Sequence, residues 1–466
     1  MKKHIKTIIL ATLIVSLLTS CQSELDSFNE NPNEPITSSP SLLLAAMEVS
    51  TFSNHTSGLI RTSSVFTQHL AGTEVGQMNK VANYIISEND ITNEWNTLYG
   101  TTLMSGYLLN RDFATSHPYY NGIGQVLTAI NLGYATDMWG DVPYDEAFRA
   151  EEGIKYPTYN TQEEIYQRLQ TILDAAILNL KKPASSNASV PDNDDYIFNG
   201  DTDKWIKVAY VLKARYALRL SQVDTNAAQK ALDNINNSGM SSNDDDANTF
   251  FPGTSNGQNQ WYAFEVSRTN YLKMGKTFVD YLINTNDPRK TFAVASEKDA
   301  DGNPTAVYSG NSPEDLETVS TSYIGPAFAS VTSNIGIVTY AEAKFIEAEA
   351  KLRLSDPLGA KTALEDGIKA SVLKITGTPA TNSFITSVTG TVNLENIIQQ
   401  KYVALFLTME PYNDYRRTGF PALIPNQNSA SKLIPVRFPT SVEERNYNIN
   451  ATVISNTTTK VWWDKD

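Results

Sequence analysis

Cysteine is all but missing: one residue, Cys21, in 466. An intrachain disulfide is therefore impossible, and so is a metal site built on two thiolates. Histidine is nearly as scarce. Beyond residue 20 there are only His55, His69 and His117, and none stands in an HExxH pair. We recognise no nucleophile elbow, no P-loop and no Gly-rich dinucleotide fingerprint opening a helix. After residue 20 no apolar run reaches 18 residues, so nothing there reads as a membrane-spanning helix. Basic residues are outnumbered, 37 Lys and Arg against 51 Asp and Glu, for a net charge of −14. That balance argues against binding nucleic acid, which calls for a basic face.

The lone cysteine has a telling setting. Lys2, Lys3 and Lys6 precede "TIILATLIVSLL", an apolar run too short to cross a bilayer as a helix but suited to a signal peptide. Leu18-Thr19-Ser20-Cys21 then resembles a lipobox, where a bacterial lipoprotein precursor is acylated on cysteine and cut just before it. The expectation is a signal peptide over 1–20, lipidation at Cys21 and a membrane anchor. An ordinary signal peptide with a chance cysteine is the plainer alternative. Removal of residues 1–20 would take away three lysines and no acid, leaving about −17 by the same count. Residues 21–39 are polar, with prolines at 32 and 35, and read as a tether. Residues 40–466 are expected to form one folded domain.

From Pro40 onward the pattern is helical. In "TQEEIYQRLQTILDAAILNL" the residues Ile165, Leu169, Ile172, Leu173, Ala176, Ile177 and Leu180 fall on one stripe. Thr161 followed by Glu164 predicts a capping box. Similar patterns cover about 41–71, 81–113, 120–138, 203–222, 226–236, 270–284, 339–354, 358–371 and 393–409. Two helix pairs look alike. Ala214, Leu218, Arg219, Leu220 and Ser221 match Ala348, Leu352, Arg353, Leu354 and Ser355 at one offset, and Ala231-Leu232 then matches Ala363-Leu364. Small residues at helical spacing let paired helices pack closely, which is the design of a tetratricopeptide-type repeat. The fold class expected is all-α dominated: tetratricopeptide-like helix pairs capped by long irregular loops. Those loops are 183–202, 237–269 and 296–338.

Several stretches together resemble the SusD/RagB family of outer-membrane lipoproteins, and within it the SusD-like group. They are "MWGDVPYDEAF" (138–148), "GDTDKWIKVAYVLKARYAL" (200–218), "VDYLINTNDPRKTF" (279–292), "VTYAEAKFIEAEAKLR" (338–353) and "IIQQKYVALFLTMEPYNDYRRTGFPAL" (397–423). They span roughly 40–450, in the family's order, behind a lipobox. The resemblance implies four tetratricopeptide-like repeats in a cell-surface lid over a TonB-dependent β-barrel transporter of the SusC type. The lid would capture an oligosaccharide or other small nutrient and pass it to the barrel. The resemblance implies no catalysis and no cofactor.

The chemistry of individual residues is weighed on that background. "DADGN" at 299–303 starts like a calcium loop, but the twelfth position is Gly310 rather than a bidentate Glu, so no metal site is assigned. Asp141, Pro143 and Tyr144 read as a structural corner, with Pro143 closing a helix. Arg416 and Arg417 read as braces for neighbouring loops. Sugar binding needs flat apolar faces beside groups that bond hydroxyls. "NGQNQWYAFEVSR", 256–268, offers Trp261 and Tyr262 with Asn259 and Arg268. Tyr323 in "YIGP" is a further candidate. Core packing of these aromatics is the competing reading. Trp462 and Trp463 are adjacent, so at most one is expected to face inward. Two other functions stay open: a tetratricopeptide scaffold for peptides or proteins, and a surface glycosidase, for which acids are plentiful enough.

Overall fold

In the computed structural model, residues 38–299 and 301–465 are described. The segments expected to be a signal peptide and most of a tether, with Cys21, lie outside them. Thirteen helices carry the architecture: α1 Pro40–Thr56, α2 Gly58–Phe66, α3 Met104–Phe113, α4 Pro118–Trp139, α5 Gln162–Leu180, α6 Thr202–Arg219, α7 Ala227–Ser238, α8 Gln260–Ser267, α9 Lys276–Asn284, α10 Tyr340–Arg353, α11 Pro357–Thr376, α12 Leu394–Ala404 and α13 Glu410–Thr418. Short helices also cover Gln77–Ala82, Thr92–Thr97, Lys290–Ala293, Asn382–Thr389 and Val442–Tyr447. Four short strands complete it: β1 Leu70–Gly72, β2 Ala247–Asn248, β3 Leu272–Met274 and β4 Gly336–Val338. β1 pairs antiparallel with β3, and β2 with β4.

The helices begin where the local chemistry dictates. Thr161 and Glu164 form the expected capping box at the head of α5. Asp201 caps α6, Thr339 caps α10 and Asp356 caps α11, each side chain accepting from a backbone N–H of the first turn. Helix pairs α4/α5, α6/α7 and α10/α11 each fold back on themselves, and α7 packs on α10 to join the second and third pairs. Ala214 and Ala348, matched between two repeats, are both completely buried. A side chain of any larger size there would force the helices apart.

α4 is the central helix. Every one of its residues is buried except Tyr119 and Gln125. Gly133 lets α6 come close: a Cβ there would meet the Tyr216 hydroxyl at 2.3 Å. One large core surrounds α4, and a smaller one joins α10, α11 and α12.

Several expected helix bounds shift. The 41–71 segment breaks at Ser57 and finishes in β1. The first residues of 270–284 form β3, because they complete a sheet edge with β1. The stretch 393–409 splits into α12 and the approach to α13. α8 lies inside an expected loop.

The family-like segments are corners and clamps. Gly140, at φ +80°, ends α4, so the stop comes before Pro143. Asp141 Oδ1 then accepts from the Gln162 N–H at 2.8 Å, tying the corner to the start of α5. Arg289 is fully buried, paired with Asp287 at 2.6 Å and donating to Ser371 Oγ at 2.9 Å. Arg416 donates to the carbonyls of Asp137 and Val436, and Arg417 pairs with Glu349 and Asp414. Both arginines are buried braces. Trp463 is fully buried beneath the Arg416 guanidinium, 4.7 Å from its ring, while Trp462 is only half-buried.

Around these braces lies a buried charge network. Arg215 and Arg219 meet Glu342, Glu410 and Asp137. Lys401, Arg417 and Arg353 meet Asp414 and Glu349. The first cluster has one carboxylate in excess and the second one cation in excess, so together they balance. Burial works against ionisation of Glu410, Glu349 and Asp414, but the neighbouring cations outweigh it and hold all three below the ordinary carboxylate range.

Candidate functional site

The stretch 256–268 folds differently from the expectation placed on it. Asn259 is buried and spent as the cap of α8: its Oδ1 accepts from the N–H groups of Trp261 and Tyr262 at 2.8 and 3.0 Å. Its Nδ2 donates to the Ser333 carbonyl at 2.6 Å. Trp261 is completely buried and belongs to the main core. Its exposure was expected because the flanking residues are polar. A helix of about two turns instead brings the indole inward while its neighbours stay wet. Neither residue presents a face to solvent.

Tyr262 is half-buried and Arg268 exposed, at the two ends of α8. Tyr323 is half-buried: its hydroxyl donates to Asn270 Oδ1, and Lys273 Nζ sits 3.5 Å from its ring centroid. Burial pushes the Lys273 amine down to about 8. Glu265, on α8, accepts from the Ile324 N–H at 3.1 Å and is raised by burial to about 7. The end of α8 and the Tyr323 loop therefore meet.

A different pair of aromatics is displayed. Tyr196 and Phe250 are 41% and 46% exposed, and their rings stack 6.2 Å apart at 23°. They come from two of the polar loops. Tyr196 is fixed from below. Its N–H donates to Glu48 Oε2 at 2.7 Å. The adjacent Asp195 is buried and accepts from Ile197 N, Phe198 N, Gly200 N and Trp205 Nε1 at 2.7–3.1 Å. Phe250 is placed by β2 and by Thr249, whose backbone and hydroxyl both bond Ile335. Phe52 and Phe251 pack edge to face beneath, 6.3 Å apart. Burial, and then the charge of Asp195, raise Glu48 well above the ordinary carboxylate range.

Beside the stacked rings is a cavity of about 310 Å³, walled by Val49, Phe52 and Pro252, with Asn256, Gln258 and Gln260 on its rim. Among the described residues none of these three amides is hydrogen-bonded to protein through its side chain. Flat apolar faces beside uncommitted amide donors and acceptors suit a neutral polyhydroxylated ring. A larger cavity, about 590 Å³, opens between α5, α6 and α7. Its two lysines are already matched, Lys230 with Asp224 and Lys213 with Asp174, and Trp462 is the one tryptophan on its wall.

Residues 253–257 spell G-x-S-x-G. The segment is an exposed turn, closed by Gly257 N donating to the Thr254 carbonyl at 2.9 Å, with no strand-to-helix elbow. His55 and His69 are buried and bonded to the Gly336 and Tyr402 carbonyls through Nε2. Burial pushes them down to about 4 and about 3, so both are neutral core groups. Among the described residues no three His, Cys, Asp or Glu side chains are grouped to hold a metal.

The chain was compared with known proteins. The profile of the SusD-like family, described as starch-binding and associating with the outer membrane, matches residues 32–439. No curated protein matches the chain. Among solved structures, one titled a chitin-binding protein is 25% identical, with a TM-score of 0.76, over 92% of this chain and 100% of its own. A SusD/RagB family protein from Bacteroides thetaiotaomicron is 24% identical, with a TM-score of 0.78, over 92% of this chain and 99% of its own. A chitin-binding SusD homolog from Flavobacterium johnsoniae is 22% identical, with a TM-score of 0.78, over 91% and 99%.

Proposed function

The chain belongs to the SusD-like family, and from that premise we propose that it captures glycans at the Tyr196–Phe250 platform for a partner transporter. Proteins of this family bind rather than catalyse, and the family is described as associating with the outer membrane. The finer reading is a lipoprotein anchored through Cys21 at the cell surface. It takes up an oligosaccharide and delivers it to a SusC-like TonB-dependent β-barrel. The observation that carries the binding half is the pair of stacked, exposed rings beside uncommitted amides. Among the described residues no helix is long and apolar enough to cross a membrane.

The test is calorimetric titration with malto- and chito-oligosaccharides. Removing one stacking ring forfeits about 1–2 kcal/mol of binding. Tyr196→Ala should therefore weaken affinity roughly 5- to 30-fold while leaving the melting temperature nearly unchanged, since the ring is exposed. Equal affinity in the variant would place the glycan elsewhere. Capture of the tagged protein from detergent-solubilised membranes, with the co-purifying barrel quantified, tests the delivery half.

A further inference from the structure

A third cavity, about 300 Å³, lies between α3, α4, α5 and the corner that follows α4. It shares no residue with the platform. One wall is aromatic: Tyr107 and Phe148 lie 5.8 Å apart at 40°, with Tyr144 beside them. Phe148 holds φ at +66°, a conformation that side-chain-bearing residues seldom adopt, and it lines the cavity from there.

The opposite wall is polar, and its groups are uncommitted. Gln125 is one of the two α4 residues that are not buried. Its Oε1 accepts from Asn179, which leaves its Nε2 free. Thr128 is 93% buried, yet among the described residues its hydroxyl has no hydrogen-bond partner. The missing side chain at Gly106 is what uncovers it, because a Cβ there would stand 2.3 Å from Thr128 Oγ1. The Tyr144 hydroxyl is likewise without a partner among the described residues. Both hydroxyls open onto the cavity rather than being sealed in the interior, so this window offers a ligand hydrogen-bonding groups that no protein group uses.

Charge narrows the class. Asp145, the one acid on the lining, is already bridged to Arg168 at 2.9 Å and bonded by Asn160 at 2.9 Å. No unmatched charge faces the cavity. The volume is at the small end of ligand pockets. We infer that this cavity is a second glycan subsite, taking one or two neutral sugar rings between the Phe148 face and the Gln125–Thr128 wall. The inference rests on the glycan-binding reading above and extends it to two separated contacts on one protein.

The experiment titrates the full chain with maltohexaose and with chitohexaose. The expected wild-type isotherm has two sites. Phe148→Ala should weaken one of them about tenfold. Thr171→Trp, a change at an exposed position on the cavity mouth, should block that same site without touching the core. Tyr196→Ala should affect only the other. If Phe148→Ala and Thr171→Trp leave the isotherm unchanged while Tyr196→Ala alters it, the cavity is not a subsite and the platform reading stands. If neither sugar binds the wild type at all, both readings fall.

Discussion

Glu342 is the point at which the buried network can be tested most directly. Both of its oxygens accept from Arg215, Nε and Nη2 each at 2.6 Å, and its side chain is 1% exposed. Replacing it with Gln keeps the volume but turns an amide N–H toward a guanidinium that has only donors. The next carboxylate, Glu410, is 3.9 Å from Arg215 and already serves Arg219 at 2.8 Å. Arg215 is then a buried cation without its principal partner, a change that costs about 3–5 kcal/mol. For roughly 430 folded residues the unfolding entropy is about 0.9 kcal/mol per kelvin, so the melting temperature should fall by about 3–6 °C. Replacing the pair together, Arg215→Met with Glu342→Leu, removes the unpaired charge and should recover most of that loss. The assay is differential scanning calorimetry of the three variants at neutral pH and constant salt. An unchanged melt for Glu342→Gln would refute the reasoning. So would a double variant that melts lower than the single one, because the pair would then be contributing more than the desolvation it requires.

Three further outcomes can be checked. Glu48 has its folded pKa raised, so its stabilising share is complete below the unfolded value of about 4.3 and is lost as pH rises through the folded value. Glu48→Gln should therefore flatten the fall in melting temperature as pH rises above about 4.3, and parallel curves would contradict the assignment. Trp261→Ala should destabilise by about 3–5 kcal/mol, as for a buried indole, and leave glycan affinity of the folded protein intact; weakened binding at unchanged stability would return the site to α8. Cys21→Ser should abolish labelling by an alkyne fatty acid in cells, and equal labelling of the two proteins would remove the lipid anchor from the reading.

The repeats were legible because their signal is local. The capping box at Thr161, the alanines at 214 and 348 and the 3.6-residue stripe of α5 each need only neighbours in sequence to be read. The sheets were not, since β1 and β3 are three residues each and acquire meaning only from one another. The proposed platform was not singled out in the sequence. Tyr196 and Phe250 lie in two of the polar loops, but the residues named there were Trp261, Tyr262, Asn259, Arg268 and Tyr323. Trp261 drew attention because it is the larger ring in the richer context, but hydrophilic neighbours do not reveal which way a short helix will turn its indole. That Tyr196 would stack on Phe250, 54 positions away, depends on Glu48 and Asp195 fixing one loop and Thr249 the other. No spacing rule carries that. At the corner Asp141 does tie the end of α4 to α5, while nothing in the sequence marked Tyr144 and Phe148 as lining a cavity against the open wall of α4.

The charge network also sets a timetable. Arg219 is bonded to Glu410, 191 positions later, and Trp139 to the Pro439 carbonyl, 300 positions later. At about 5–20 residues per second of synthesis, Arg219 waits roughly 10–40 s for Glu410, and Arg215 roughly 6–25 s for Glu342, 127 positions later. During that interval the first two helix pairs can form as hairpins, but they cannot close over one another without burying guanidiniums that still need water. Long-range contacts of this kind slow the final step and make it all-or-none. The late segment that carries Trp463 beneath Arg416 is therefore the latch of the molecule: the early repeats are assembled first and made permanent afterwards.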